Sequence, residues 1–256
     1  MTQIPPTPAL EWAWFFDIDG TLASIEMSPD AVRVDRAIQN LIEALHEKTG
    51  GAVALVSGRA LLDIDRLFPH FTIAAAGQHG AERRHADGTM ARQPTASTNL
   101  LAMRDALRDM EKRHAGLMLE DKGLSLSMHY RQVPRLGAFV QREMRALFQK
   151  LGDGFHMQLG KCVVEIVPVG HTKGTVVNEF LSEAPFRGRM PVFLGDDVTD
   201  ENAFAVVNAL GGISIKVGAG PTLAPYRLDD VAGVRDWLAS LAPLTILHHS
   251  DAGDAA

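Results

Sequence analysis

One cysteine, Cys162, stands in a chain of 256 residues, so no disulfide can close within it and a reducing compartment is the expected setting. Cations are scarce as well: 25 Lys and Arg face 31 Asp and Glu, a net charge of −6. That balance argues against a nucleic-acid surface, and any anionic substrate must find a local cluster of cations. No apolar run approaches the roughly 18 residues of a membrane span, so no membrane partner is expected. Residues 1–11, with Pro5, Pro6 and Pro8, lack the basic-then-apolar pattern of a leader and read as a loose arm. The stretch from His248 to Ala256 is small and polar and is expected to fray. What is plentiful is apolar material, 46% of residues, enough for one large core or two modest ones. A cytoplasmic monomer is the expectation.

An apolar run from Trp12 to Phe16 reads as a buried strand. It stops at Asp17-Ile18-Asp19-Gly20-Thr21. Ligands of open α/β sheets sit at the carboxyl ends of strands, so both aspartates project toward a site. Two carboxylates this close can hold a divalent cation, or serve as nucleophile and acid/base. A calcium loop with Gly20 at its invariant glycine would put Phe15 at the first ligand position, where oxygen is required.

Val34, Ile38, Leu41, Ile42 and Leu45 recur at helical spacing, and Gly50-Gly51 ends that helix. Ala52 to Val56 is a second buried strand, parallel to the first by the right-handed crossover rule. It ends at Ser57-Gly58-Arg59, on the same sheet edge as Asp17. Ser57 either donates to a phosphate oxygen or caps the helix from Ala60 to Phe68. Phe71 to Ala76 leads into Gly77-Gln78-His79-Gly80, a tight loop on that edge, and Arg83 to Arg92 reads as a hairpin about Asp87-Gly88.

From Gln93 the pattern changes to helix, two strands, helix, two strands, ending near Pro168. Its strands are half polar, as in Leu124 to Tyr130, which suits a sheet covered by helices on one face. Thr172 then fits a helix N-cap with Lys173 in the first turn, where the dipole disfavours a cation unless an anion faces it. Pro191 to Leu194 is another buried strand, ending at Gly195-Asp196-Asp197-Val198-Thr199-Asp200-Glu201. Four acids in six positions repel one another unless a cation is present. Ile213 to Val217 is a further strand, and residues 235–241 a closing helix.

These four segments, in this order, resemble the motifs of the haloacid-dehalogenase-type phosphatases. The resemblance implies an α/β fold: a Rossmann-like parallel-sheet core, residues 1–92 and 169–256, with an inserted α+β cap domain, 93–168. It implies Asp17 as nucleophile, Asp19 as acid/base, and Ser57 and Lys173 on the phosphate. Asp17, Asp196 and the backbone carbonyl of Asp19 would hold Mg²⁺, with Asp197 and Asp200 orienting its waters.

Within that superfamily, Gly77-x-His79-Gly80-Ala81-Glu82, Glu120-Asp121-Lys122-Gly123, His129-Tyr130-Arg131 and Gly160-Lys161-x-x-x-Glu165 are similar to the trehalose-6-phosphate phosphatases. The likeness implies a sugar phosphate as substrate, with Glu120, Lys122 and Glu165 gripping sugar hydroxyls and Arg59, His79 and Arg131 assisting. Residues two apart on a strand share a face, so Glu120 and Lys122 can point into one cleft; an exposed charge pair is the plainer account. A phosphatase or phosphomutase of another sugar phosphate, and a sensor on the same fold, remain as alternatives.

Overall fold

The computed structural model describes residues 3–92 and 98–241. The expected start of the cap near residue 93 and the fraying tail from His248 lie outside those residues.

The apolar run becomes β1 (Ala13–Phe16), with every side chain buried. Its side chains alternate between two cores, as the pleat requires. Trp14 and Phe16 join one cluster, and Ala13 and Phe15 the other. Helices α1 (Arg36–Lys48) and α2 (Leu61–Leu67) add Ile38, Ile42 and Ile64 to the first cluster. Helices α5 (Lys173–Leu181) and α6 (Glu201–Ala209) add Phe180 and Phe204 to the second. A sheet covered on both faces explains why these strands read as unbroken apolar runs.

Strands β2 (Val53–Val56), β3 (Ala74–Gly77), β10 (Pro191–Gly195) and β11 (Ile213–Val217) lie parallel to β1 or its neighbours. The full order is β12-β11-β10-β1-β2-β3-β4-β5, with β12 spanning Tyr226–Leu228. The expected hairpin forms β4 (Glu82–Arg84) and β5 (Met90–Arg92), which extend the sheet antiparallel. Chain order reverses about β1, with β2 on one side and β10 on the other. That switch point is where an open α/β sheet offers a crevice.

The second sheet is antiparallel, in the order β6-β7-β9-β8. Its strands are β6 (Met118–Asp121), β7 (Leu126–His129), β8 (Phe155–Gly160) and β9 (Val163–Pro168). Helices α3 (Thr98–Arg113) and α4 (Gly137–Phe148) pack Leu107 and Met144 onto its Leu126, Met128, Val164 and Ile166. The polar side of this sheet is drier than a half-buried reading suggests. Ser125 and Ser127 are buried, and Ser125 Oγ donates to Gln78 Oε1 of the core at 2.8 Å.

Three expectations need correction. The arm at residues 3–8 is not loose. Gln3 pairs with Tyr226 beside β12 (Tyr226–Leu228), and Trp237 Nε1 donates to the Pro6 carbonyl at 2.9 Å. A buried indole N–H needs an acceptor, and a proline-rich segment offers carbonyls with no ladder to spend them on. The strand β12 itself was not foreseen. The closing helix α7 (Val231–Ala239) begins four residues earlier than expected, because Asp230 caps it by accepting from Gly233 N–H at 2.8 Å.

Candidate active site

Four strand ends meet on one edge. Asp17 follows β1, Ser57 follows β2, His79 follows β3 and Asp196 follows β10. Gly20, at φ +81°, brings the first loop so close to the last that a Cβ there would strike the Asp196 carboxylate.

Lys173 supplies the anchor. Thr172 caps α5 by accepting from Thr175 N–H at 3.2 Å, which places Lys173 in the first turn facing inward. Its Nζ lies 2.8 Å from Asp17 Oδ1 and 2.7 Å from Asp200 Oδ1, and all three residues are buried. The anion that its position demanded is thus a pair of carboxylates. Burial alone would push the lysine down, but Asp17 and Asp200 outweigh it and raise Lys173 above its ordinary value. Asp200 also accepts from Asp197 N–H at 2.9 Å, so it braces the loop as well as the lysine.

One carboxylate oxygen each from Asp17, Asp196 and Asp200 fall within 4.8 Å of one another. Five carboxylates gather here, from Asp17, Asp19, Asp196, Asp197 and Asp200, against three cations, Lys173, Lys216 and Arg59. With every group ionised the formal excess is two negative charges, and that balance with the all-oxygen donor set fits a hard divalent cation. Burial, then Asp200, Asp196 and Asp19, raise Asp17 well above the usual carboxylate range against the pull of Lys173. Burial, then Asp200 and Asp197, push Asp196 up to about 7.

That last shift makes a prediction for the metal-free chain. A carboxylate raised from 3.8 to about 7 binds its proton more tightly when folded, so its contribution to stability is lost as pH climbs through that window. Thermal unfolding of wild type should therefore lose more between pH 5 and 7.5 than that of Asp196→Asn. A variant that tracks wild type across this range would remove the assignment.

Asp19 belongs to this group but carries its own partner. Its two oxygens receive Arg59 Nη2 at 2.6 Å and Nε at 2.7 Å, and Arg59 also donates to the Pro29 carbonyl. So Arg59, expected against substrate, is buried on Asp19. Ser57 is buried and accepts from Arg59 N–H at 3.2 Å. It does not cap α2, whose Leu61 N–H instead takes Glu82 Oε2 at 3.1 Å. Glu201 leaves the acidic group, because its carboxylate accepts from Leu223 N–H at 2.7 Å.

Above this edge lies the polar face of the second sheet. Lys122 Nζ sits 3.4 Å from Glu120 Oε2 and 3.3 Å from Glu165 Oε1. His129 adds a 2.8 Å contact to Glu120, and Ser127 Oγ donates to Glu165 at 2.8 Å. Burial would raise both carboxylates, but Lys122, His129 and His79 outweigh it, holding Glu120 low and Glu165 well below its ordinary value. Arg131 is more exposed and donates to the Lys161 carbonyl at 2.8 Å, at the mouth. One cleft is lined by Asp17, Asp19, Ser57, Arg59, His79, Glu120, Lys122, Arg131, Glu165, Lys173, Asp196 and Asp197. Asp200 lies beneath it, fully buried.

Two residues escaped the sequence reading. Lys216 is buried on β11 and donates to the Asp196 carbonyl. A lysine inside the run Ile213 to Val217 was the available signal. Gln158 faces Glu165 across β8 and β9, a register that counting back from the Lys161-Cys162 turn would have found.

A family model described as trehalose-phosphatase matches residues 15–232. The chain is 42% identical over 246 residues to the trehalose-6-phosphate phosphatase of Escherichia coli (strain K12), covering 93% of this chain and 89% of that one. It is 38% identical over 237 residues to a probable trehalose-phosphate phosphatase of Sinorhizobium fredii, with the same coverage. Among solved structures, the C-terminal domain of the C. albicans trehalose-6-phosphate phosphatase superposes with a TM-score of 0.80 at 21% identity, over 90% of this chain and 92% of that one. A protein described as related to trehalose-6-phosphate phosphatase gives a TM-score of 0.71 at 26% identity, over 91% and 97%. With the strand-end acids, the buried lysine and the charged face of the second sheet in one cleft, the chain belongs to the trehalose-phosphatase family, a family of phosphatases.

Proposed function

We propose that the chain is a Mg²⁺-dependent phosphatase that hydrolyses trehalose 6-phosphate to trehalose and phosphate through an aspartyl-phosphate on Asp17. In this reading residues 93–168 form a cap inserted between core segments 1–92 and 169–256, and the enzyme works as a cytoplasmic monomer. The observation that carries it is the pairing of two clusters across one cleft, Asp17–Lys173–Asp196 below and Glu120–Lys122–Glu165 above. The lower set suits phosphate chemistry. The upper set offers charged donors and acceptors to a hydroxyl-rich, uncharged disaccharide, and a site built to bond hydroxyls rejects analogues that lack them.

An oxygen of Asp17 attacks phosphorus in line while Lys173 offsets charge and Ser57 orients the phosphate. The ester bond breaks and the sugar oxygen takes a proton from Asp19. Asp19 must first leave Arg59 and turn to that oxygen. Water then attacks the aspartyl-phosphate and gives its proton to Asp19, which frees Asp17 and phosphate. Mg²⁺ held by Asp17, Asp196 and the Asp19 carbonyl would supply positive charge against the phosphate dianion, with Asp197 and Asp200 orienting its waters.

Phosphate release across a panel of sugar phosphates tests the reading. Trehalose 6-phosphate should lead the panel, activity should fall to background with EDTA, and added Mg²⁺ should restore it. Full turnover in a rigorously metal-free preparation rejects the metal; a different leading sugar rejects the substrate.

Glu165→Ala tests the cap. Loss of a hydrogen bond from a charged group costs roughly 1.5–3 kcal/mol, about 10- to 150-fold in kcat/KM for trehalose 6-phosphate. Part of that loss should fall on kcat, because remote binding energy helps hold the reacting phosphate in place. A small ester such as p-nitrophenyl phosphate offers Glu165 no sugar hydroxyl, so its hydrolysis should barely change. Equal losses on both substrates would instead point to a damaged core.

A further inference from the structure

We propose that Gln158 is a positioning residue that sets the sugar specificity of this site, by fixing Glu165 in the cleft and tying it to His79 of the core. The inference rests on the substrate reading above and adds a residue to it.

The Gln158 amide nitrogen lies 2.9 Å from Glu165 Oε2 and 3.0 Å from His79 Nε2. An amide nitrogen carries two hydrogens, and it can donate one to each. The flipped amide would set its carbonyl oxygen against the Glu165 carboxylate, so the nitrogen faces Glu165. His79 Nε2 also stands 3.5 Å from Glu165 Oε2, so the three groups form one contact. Glu165 thus takes donors from Gln158 on one oxygen, and from Lys122 and Ser127 on the other. Three donors occupy three of about four acceptor positions on a carboxylate, and leave one for a sugar hydroxyl. Without Gln158, Oε2 keeps only the longer 3.5 Å contact of His79 Nε2, and the carboxylate can swing about its last torsion.

His79 joins this contact to the phosphate loop. It sits at φ +59°, a conformation a side chain adopts only under constraint, and Gln78 before it at φ +49°. His79 N–H donates to the Ser57 carbonyl at 3.1 Å, and Gln78 N–H to the Arg59 carbonyl at 2.8 Å. The ring lies over Gly58, where a Cβ would come within 2.9 Å of Nε2. A side chain of the second sheet is therefore seated on the turn that shapes the phosphate loop. Gln158 connects the group that reads the sugar to the group that orients the phosphate.

The test is a double-mutant cycle read on two substrates. Gln158→Met keeps the volume and removes both hydrogen bonds. It should lower kcat/KM for trehalose 6-phosphate about 10-fold and leave p-nitrophenyl phosphate within about threefold. In a Glu165→Gln background the same change should add less than about twofold, because it acts through Glu165. Gln158→Glu keeps the size and polarity but sets a carboxylate against Glu165, so it should lose more than Gln158→Met. A role in packing alone predicts the reverse order. Independent losses that multiply in the double variant, or equal losses on both substrates, overturn the proposal. If the wild type prefers another sugar phosphate, the substrate reading fails on that measurement, and the same cycle on the preferred sugar decides Gln158 separately.

Discussion

Asp17→Asn is expected to reduce turnover by about 10⁴- to 10⁶-fold, the range seen when a nucleophile-bearing unit is dismantled. It should also abolish the acid-stable phosphoenzyme trapped after a rapid quench. The fold should survive. Burial and three neighbouring carboxylates already raise Asp17 well above its usual range, so its ionised form is an expense to the metal-free chain at neutral pH. An amide of the same shape removes that expense, and Lys173 keeps Asp200 as its partner. Metal-free Asp17→Asn should then unfold at a temperature equal to or above that of wild type at pH 7.5. Asp19→Asn separates the second role. It spares the nucleophile and should slow turnover by roughly 10²- to 10⁴-fold, the usual size of acid/base catalysis. Trapped phosphoenzyme should rise in Asp19→Asn, because its hydrolysis needs a base. Near-wild-type turnover in Asp17→Asn would remove the nucleophile assignment outright.

The part of this site that was legible in the sequence lies where a buried strand runs straight into polar residues. β1 into Asp17, β2 into Ser57 and β10 into Asp196 are each a change from full burial to chemistry within one residue. A two-faced parallel sheet allows no other polar residues along those strands, so the contrast is sharp. The same contrast was present and overlooked at Lys216, which sits inside a buried strand and not after it. β12 escaped for the opposite reason. Tyr226-Arg227-Leu228 is three half-buried residues with no apolar run, and pairing with β11 and with Gln3 makes it a strand. Pairing across such distance in the chain leaves no local periodicity. Neither does the Asp19–Arg59 pair, whose partners are 40 residues apart. The Glu120–Lys122–Glu165 cluster on the second sheet falls between these cases. Its residues could be named from their types and spacing, but which oxygen meets which donor depends on how two sheets face each other.

Lys173→Met should remove activity and destabilise the chain together, which distinguishes it from Asp17→Asn. Lys173 is 3% exposed and holds two buried carboxylates at 2.7 and 2.8 Å. Removing one partner of a buried ion pair leaves an uncompensated charge and costs about 3–5 kcal/mol. The pH dependence identifies the cause. Lys173 is raised, so in wild type its contribution is complete below its ordinary value of 10.5 and is lost only at higher pH; it stays charged throughout the working range. In the variant, Asp17 and Asp200 lose their cation, and Asp17, already raised against the pull of Lys173, holds its proton more tightly still when folded. A folded state that holds more protons loses stability as pH rises. The deficit of Lys173→Met against wild type should therefore be small near pH 5 and grow toward pH 7.5. Protonation of Asp17 offsets the loss near pH 5 and not at pH 7.5. Mg²⁺ should recover part of the loss at pH 7.5 by offsetting the same carboxylates, while turnover stays at background because no ammonium faces the phosphate. Chemical unfolding at the two pH values, with and without Mg²⁺, reads all four quantities. A deficit that is the same at both pH values would mean lost packing of the lysine stem and not the stranded charges, and would separate Lys173 from the electrostatics assigned to it here.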